Sequence, residues 1–179
     1  MTDDIAEVLF DEDAIARRVR ELAATITADY AGSEVLLLAT LKGAVIFLAD
    51  LMRALQLPVC VDFVGATSYG GSTESSGSVR LDLDSCGDMS GRHVLIVEDI
   101  VDTGRTLTKL VDAIQGQAPA SVRTCCLLDK PSRRVTDFRP DYVGFEIADR
   151  FVVGYGLDFS QRYRNLPYIA VLKPRAYES

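Results

Sequence analysis

The chain reads as an α/β protein: a mostly parallel twisted sheet flanked by helices, with a small hood of irregular strands. Three observations point there. Apolar runs of strand length alternate with helical segments from Val35 to Leu128, the order of a parallel sheet covered by helices on its faces. Residues 94–97, Val-Leu-Ile-Val, end in acids and a Thr-Gly-Arg-Thr turn at the start of an amphipathic segment. From Tyr142 to Leu172 the pattern breaks into short runs punctuated by Gly144, Gly154, Gly156 and Pro167.

Taken in order, Ile15, Val19, Leu22, Ile26 and Tyr30 recur at helical spacing, with acids ahead of them and Gly32 beyond. This predicts an amphipathic helix over 13–30. Val35 to Ala39 reads as a buried strand, Ala44 to Leu55 as a helix, and Val59 to Val64 as a β-branched strand closed by Gly65. His93 to Val97 is the next strand. Leu107, Leu110, Val111 and Ile114 mark a helix over 105–115, and Val122 to Leu128 a further strand. Residues 67–78 are dominated by Gly, Ser and Thr. They read as a mobile active-site lid, with a hairpin linker as the plain alternative. No repeat or inter-domain linker interrupts the chain. The expectation is one domain over 1–179, with its core at about 30–140, a hood from about 142–179 joined by N-terminal residues, and the lid at 67–78.

Size and charge narrow the function classes. The 179 residues, 48 % of them hydrophobic, suit one core. A net charge of −7 argues against nucleic acid and anionic membrane as partners, since both require clustered positive potential. No window approaches the apolar length of a membrane span, and the N-terminus Met-Thr-Asp-Asp is acidic where a signal peptide is basic. A cytoplasmic location is expected. Cys60, Cys86, Cys125 and Cys126 lack metal-ligand spacing and read as buried free thiols, and with His93 the single histidine, read as a strand-edge residue, there can be no Ser-His-Asp chemistry elsewhere.

Residues 94–106 concentrate the chemistry. Between a buried strand and its helix the chain must turn sharply, and hydroxyls, a glycine and free N–H groups gather at a helix N-terminus that favours phosphate. Glu98, Asp99 and Asp102 stand beside that nest. Carboxylates repel phosphate, so sugar hydroxyls or magnesium must lie between them. An ordinary strand-turn-helix with an acidic loop is the plain alternative.

The run Val-Leu-Ile-Val-Glu-Asp-Ile-Val-Asp-Thr-Gly-Arg-Thr resembles the 5-phosphoribosyl 1-pyrophosphate (PRPP) motif of type I phosphoribosyltransferases at every position. The resemblance implies that Glu98 and Asp99 sit beside the ribose 2′ and 3′ hydroxyls, and that Asp102, Thr103, Gly104, Arg105 and Thr106 wrap the 5′-phosphate. Over roughly residues 35–175 the chain is similar to the purine-salvage branch, the hypoxanthine-guanine phosphoribosyltransferases. That likeness implies a pyrophosphate loop at Leu41-Lys42-Gly43, often with a non-proline cis peptide, and a lid dipeptide at Ser68-Tyr69. It assigns Lys130 to the purine 6-oxo oxygen, Phe151 to stacking on the base and Val152 to the purine edge. Asp158 takes a place at the purine and as a magnesium ligand, with Glu98 and Asp99 as further candidates for the metal, and Arg164 binds pyrophosphate. Asp102 becomes the acceptor of the purine N7 proton, or only its hydrogen-bond partner.

Each of these residues also has a bland reading. Lys42 and Lys130 suit exposed turns, Phe151 suits a core, and Asp158 and Arg164 suit a charged surface. Arg133 and Arg134 are equal candidates for a further arginine role. The implied activity is Mg2+-dependent transfer of phosphoribose from PRPP to N9 of a 6-oxopurine by a homodimer or homotetramer. The rivals are a nucleotide- or PRPP-sensing regulatory module on the same fold and a nicotinamide-dependent oxidoreductase. The second lacks its glycine fingerprint, because Leu41-Lys42-Gly43 offers one glycine.

Overall fold

The computed structural model describes residues 2–68, 79–82 and 86–177. Strand β1 (Ile5–Phe10) leads into helix α1 (Glu12–Asp29). Asp11 caps α1 by accepting a hydrogen bond from Ala14 N at 2.8 Å, and Glu12 and Asp13 face the positive end of the helix dipole. Ile15, Val19, Leu22, Ala23 and Ile26 form its buried stripe, spaced so that one face meets the sheet. There follow β2 (Val35–Leu41), α2 (Val45–Ala54), β3 (Val59–Ser68), β4 (Val79–Asp82), β5 (His93–Val101), α3 (Arg105–Gln115) and β6 (Ser121–Asp129). The chain ends in β7 (Tyr142–Glu146), β8 (Val152–Val153) and β9 (Ile169–Leu172).

The main sheet has the order β4-β3-β2-β5-β6-β7 among the described residues. All its pairings are parallel except β3 with β4. The central strands are buried on both faces, which is why they read as unbroken apolar runs. Val35, Leu37 and Ala39 of β2 point into the core under α1 and α2, and Leu36 and Leu38 point into the core under α3. On the second face Leu107, Leu110 and Ile114 of α3 cover Val94 and Ile96. From β2 the order runs one way to β3, and from β5 the other way to β6 and β7. The crevice at this reversal, beyond the strand C-termini, is where such sheets bind ligands.

A second sheet, β1-β9-β8, is antiparallel and carries its own small core of Val153, Tyr163, Leu166 and Leu172. Tyr163 Oη donates to Asp4 Oδ2 at 2.8 Å, and Lys173 Nζ to Asp3 O at 2.8 Å, fastening the N-terminal residues to this hood.

Three boundaries depart from expectation. Strand β3 continues through Gly65 to Ser68, because Gly65 to Ser68 pair antiparallel with β4. Strand β5 runs to Val101, so Glu98 and Asp99 belong to the strand itself, with Glu98 and Ile100 in register with Cys126 and Leu128. Tyr142–Glu146 falls where the hood was expected, yet it pairs parallel with β6. There Gly144 is required, since a Cβ would stand 2.4 Å from Leu127 O. Tyr69 and most of the expected lid at 67–78 lie outside the described residues, and Ser68 ends β3.

Candidate active site

The C-terminal ends of β2 and β5 open into a cleft of about 320 Å³ at the sheet's reversal point. Lys42, Gly43, Glu98, Asp99, Asp102, Thr103, Gly104, Thr106, Asp158 and Arg164, all singled out from the sequence, line it. Thr40, at the end of β2, lines it too, its side chain buried beside the Glu98 carboxyl. Sequence reasoning passed over Thr40, although a hydroxyl closing an apolar run is a legible signal.

The turn from Asp102 to Gly104 is held from outside. Arg134 Nη1 donates to Asp102 O at 2.7 Å while the other arm of its guanidinium is paired with Asp129. Val135 N donates to Thr103 O at 3.1 Å. Gly104 has φ +83°, and a Cβ there would stand 2.5 Å from Thr136 Oγ1 and 2.9 Å from Arg134 Cδ, so both conformation and space demand glycine. The first intrahelical bond of α3 runs from Thr108 N to Gly104 O at 2.9 Å. The N–H groups ahead of it lie at the positive end of the helix, the ordinary setting for a phosphate. Arg105 is exposed and is not among the residues lining the cleft.

The opposite wall is the loop after β2. The peptide bond between Leu41 and Lys42 is cis, as the resemblance implied. Gly43 lies against the Asp99 carboxylate. Burial pushes the Glu98 carboxyl well above its ordinary range, and the charge of Asp99 beside it acts in the same direction. Across the cleft Asp158 Oδ1 pairs with Arg164 Nη2 at 2.7 Å, and Arg164 Nη1 donates to Gly156 O at 2.7 Å. Both side chains are about three-quarters buried, at 24 % and 26 % exposure, which departs from the surface-charge reading.

Lys130, Phe151 and Val152 are not among the residues lining this cleft. Lys130 follows β6, is buried, and its Nζ stands 3.6 Å from Asp149 Oδ1. Val152 is buried in β8, paired with Val171. Phe151 is partly exposed and stacks on Tyr177 with ring centroids 4.9 Å apart, and its ring meets Phe159 edge-on at 5.5 Å. The two arginines separate in role: Arg134 braces the turn, and Arg133 Nε reaches Asp102 Oδ1 at 3.2 Å. Asp149, which also faces Arg133, carried no signal in the sequence.

Glu98, Asp99 and Asp158 offer oxygen ligands from two sides of the cleft. Among the described residues no group of three or more His, Cys, Asp or Glu could hold a metal ion. One or two of these carboxylates suit magnesium, which completes its shell with waters and phosphate oxygens of a substrate. No helix among the described residues is long and apolar enough to cross a membrane.

Residues 6–160 match the family model of the phosphoribosyl transferase domain. Over its whole length the chain is 48 % identical to the hypoxanthine-guanine phosphoribosyltransferase of Bacillus subtilis strain 168, covering 99 % of that protein. Among solved structures it is similar to a hypoxanthine phosphoribosyltransferase from Staphylococcus aureus, with a TM-score of 0.95 and 42 % identity, covering 100 % of this chain and 97 % of the other. A hypoxanthine-guanine phosphoribosyltransferase from Bacillus anthracis, solved with a HEPES molecule in its active site, gives a TM-score of 0.89 at 44 % identity over 94 % of this chain and 99 % of that one. The chain belongs to the phosphoribosyltransferase family, and within it to the hypoxanthine-guanine branch.

Proposed function

We propose that the chain transfers the 5-phosphoribosyl group from PRPP to N9 of a 6-oxopurine, hypoxanthine or guanine, releasing pyrophosphate in purine salvage. The observation that carries this is the shared cleft. A phosphate-favouring helix N-terminus, an acidic pair on β5 and the Lys42, Asp158 and Arg164 groups face one space.

In this reading the turn from Asp102 to Thr106 cups the 5′-phosphate, and Glu98 and Asp99 hold the ribose hydroxyls. Displacement at the anomeric carbon forms the bond to N9 and breaks the bond to pyrophosphate. Lys42, the N–H groups of its loop and Arg164 take the charge growing on the leaving group. Asp158, or Glu98 and Asp99, would hold magnesium, which would supply positive charge to phosphate oxygens when bound. Asp102 accepts the N7 proton. Lys130 donates to the 6-oxo oxygen, so adenine, with an amino group there, would offer that buried ammonium a donor instead of an acceptor. Phe151 stacks on the base, Val152 meets its edge, and Ser68 and Tyr69 close over pyrophosphate.

The reading includes a cytoplasmic homodimer or homotetramer. Exposed Val45, Ile46 and Met52 on α2 supply an apolar surface that such an assembly would cover. The test is a spectrophotometric assay with PRPP, magnesium and each of hypoxanthine, guanine, xanthine and adenine. Turnover with a 6-oxopurine is expected; turnover of adenine but not hypoxanthine overturns the assignment of Lys130.

A further inference from the structure

Three half-exposed charges form a chain beside the proposed purine site. Arg133 Nε stands 3.2 Å from Asp102 Oδ1 and its Nη1 stands 3.6 Å from Asp149 Oδ2, with all three side chains between 44 % and 53 % exposed. Asp149 also faces Lys130 Nζ at 3.6 Å. Its loop is anchored to the sheet, since Ile147 N donates to Asp129 O at 2.8 Å. Arg134 leaves the Asp102 carboxylate alone, because it is spent on the Asp102 carbonyl and on Asp129. Arg133 is therefore the cation recorded on the carboxylate assigned as proton acceptor.

The Arg133 N–H lies on Asp102 Oδ1, so it occupies an oxygen that an incoming purine N–H would need. Contacts between exposed charges shift an equilibrium by no more than about five-fold, so Arg133 can leave Asp102 readily if a second seat is near. Asp149 is that seat. We propose that Arg133 and Asp149 are positioning residues: Arg133 covers Asp102 in the empty site and passes wholly to Asp149 when the base binds, freeing Asp102 to take the N7 proton. The exchange rests on the reaction proposed above.

Asp149 then has two distinguishable effects. Asp149→Asn removes the second seat and keeps Arg133 on Asp102, slowing the chemical step. It also loosens Lys130, raising the KM for purine. Deleting Arg133 in the same chain cures the first defect and leaves the second.

The experiment measures single-turnover rates at saturating hypoxanthine and PRPP, with purine KM and PRPP affinity, for wild type, D149N, D149E, R133A and R133A/D149N. The expected result is a three- to five-fold slower step in D149N, of the order an exposed pair can exert. The double variant returns to the R133A rate with purine KM still raised, D149E stays near wild type, and PRPP affinity is unchanged throughout. A D149N rate equal to wild type, or a double variant as slow as D149N, overturns the exchange while the reaction stands. Wild type that binds PRPP yet forms no product from hypoxanthine or guanine overturns the reaction itself.

Discussion

Gly43 and Asp99 are packed so closely that a methyl group on Gly43 would come within 1.6 Å of Asp99 Oδ2. The same carboxylate accepts a hydrogen bond from Ile100 N at 2.9 Å through its other oxygen. The loop after β2 and the acidic pair thus share one contact, and glycine sets the distance between them. Gly43→Ala is expected to displace the Asp99 carboxylate and weaken PRPP binding about tenfold or more, the equivalent of roughly 1.4 kcal/mol. The melting temperature should change little, because the atoms that yield are the end of one side chain. Titration calorimetry with PRPP checks this, and unaltered affinity would remove the packing from the account of binding.

Gly156 behaves differently. Its φ is +99°, and a Cβ there would stand 2.1 Å from Gly43 O, a backbone atom. Neither strain nor clash can be relieved by a side chain, so Gly156→Ala should destabilise the fold by about 1–3 kcal/mol. Chemical denaturation is the measurement, and a variant as stable as wild type would show that the hood rides free of the loop.

Glu98 ties stability to pH. Its carboxyl stays protonated in the native state to a pH well above its ordinary value of 4.5, through burial and then the charge of Asp99. The native state therefore binds more protons than the unfolded chain in that window, and this contribution is full at acid pH and lost as pH rises towards the native value. Glu98→Gln cannot ionise. The variant should match wild type near pH 4.5 and gain on it towards neutrality, in denaturation curves without PRPP or magnesium. A difference that stays constant with pH would mean that Glu98 is ionised throughout.

Asp102→Asn preserves shape and removes the proposed proton acceptor. Turnover should fall by about a hundredfold or more, the usual contribution of general base catalysis. PRPP affinity should hold within about twofold, because the turn proposed to cup the phosphate is held through the Asp102 carbonyl by Arg134. Unchanged turnover would leave Asp102 a hydrogen-bond partner of the base and nothing more.

The buried thiols make a simple probe of the core. Burial raises the thiol pKa of both Cys125 and Cys126, and both are fully covered by the sheet. Since the thiolate is the reactive form, neither should be alkylated in the native protein at neutral pH, and both should react once it is unfolded. Mass spectrometry of protein treated with iodoacetamide reads this, and native labelling at either position would contradict the packing of β6.

How much of this was legible can be judged from particular elements. Helix α3 was read at 105–115 and spans Arg105–Gln115, because an amphipathic period opened by a glycine is local information. The acidic pair was read as following its strand, whereas β5 carries it. Acids normally end an apolar strand, but at the C-terminal edge of a parallel sheet the side chains reach the cleft while the backbone continues to pair. Tyr142–Glu146 was read with the hood, since nothing within five residues says that their partner is β6. The Gly144 that seemed to punctuate a loop is instead required by close contact with Leu127.

By itself the sequence determined the alternation of strands and helices, the phosphate-favouring turn after β5 and the family resemblance. All of these are written in neighbouring residues, as period, punctuation and residue class. Only the tertiary structure decided which of the chemical residues meet. It brought Lys42 after β2, Glu98 on β5 and Arg164 in the hood to one cleft, and it left Phe151 stacked on Tyr177. It also set Arg133 rather than Arg134 on the Asp102 carboxylate and supplied Asp149 from a distant loop. Those contacts depend on strand order and on which side of a turn a guanidinium leaves, and neither is a property of nearby sequence.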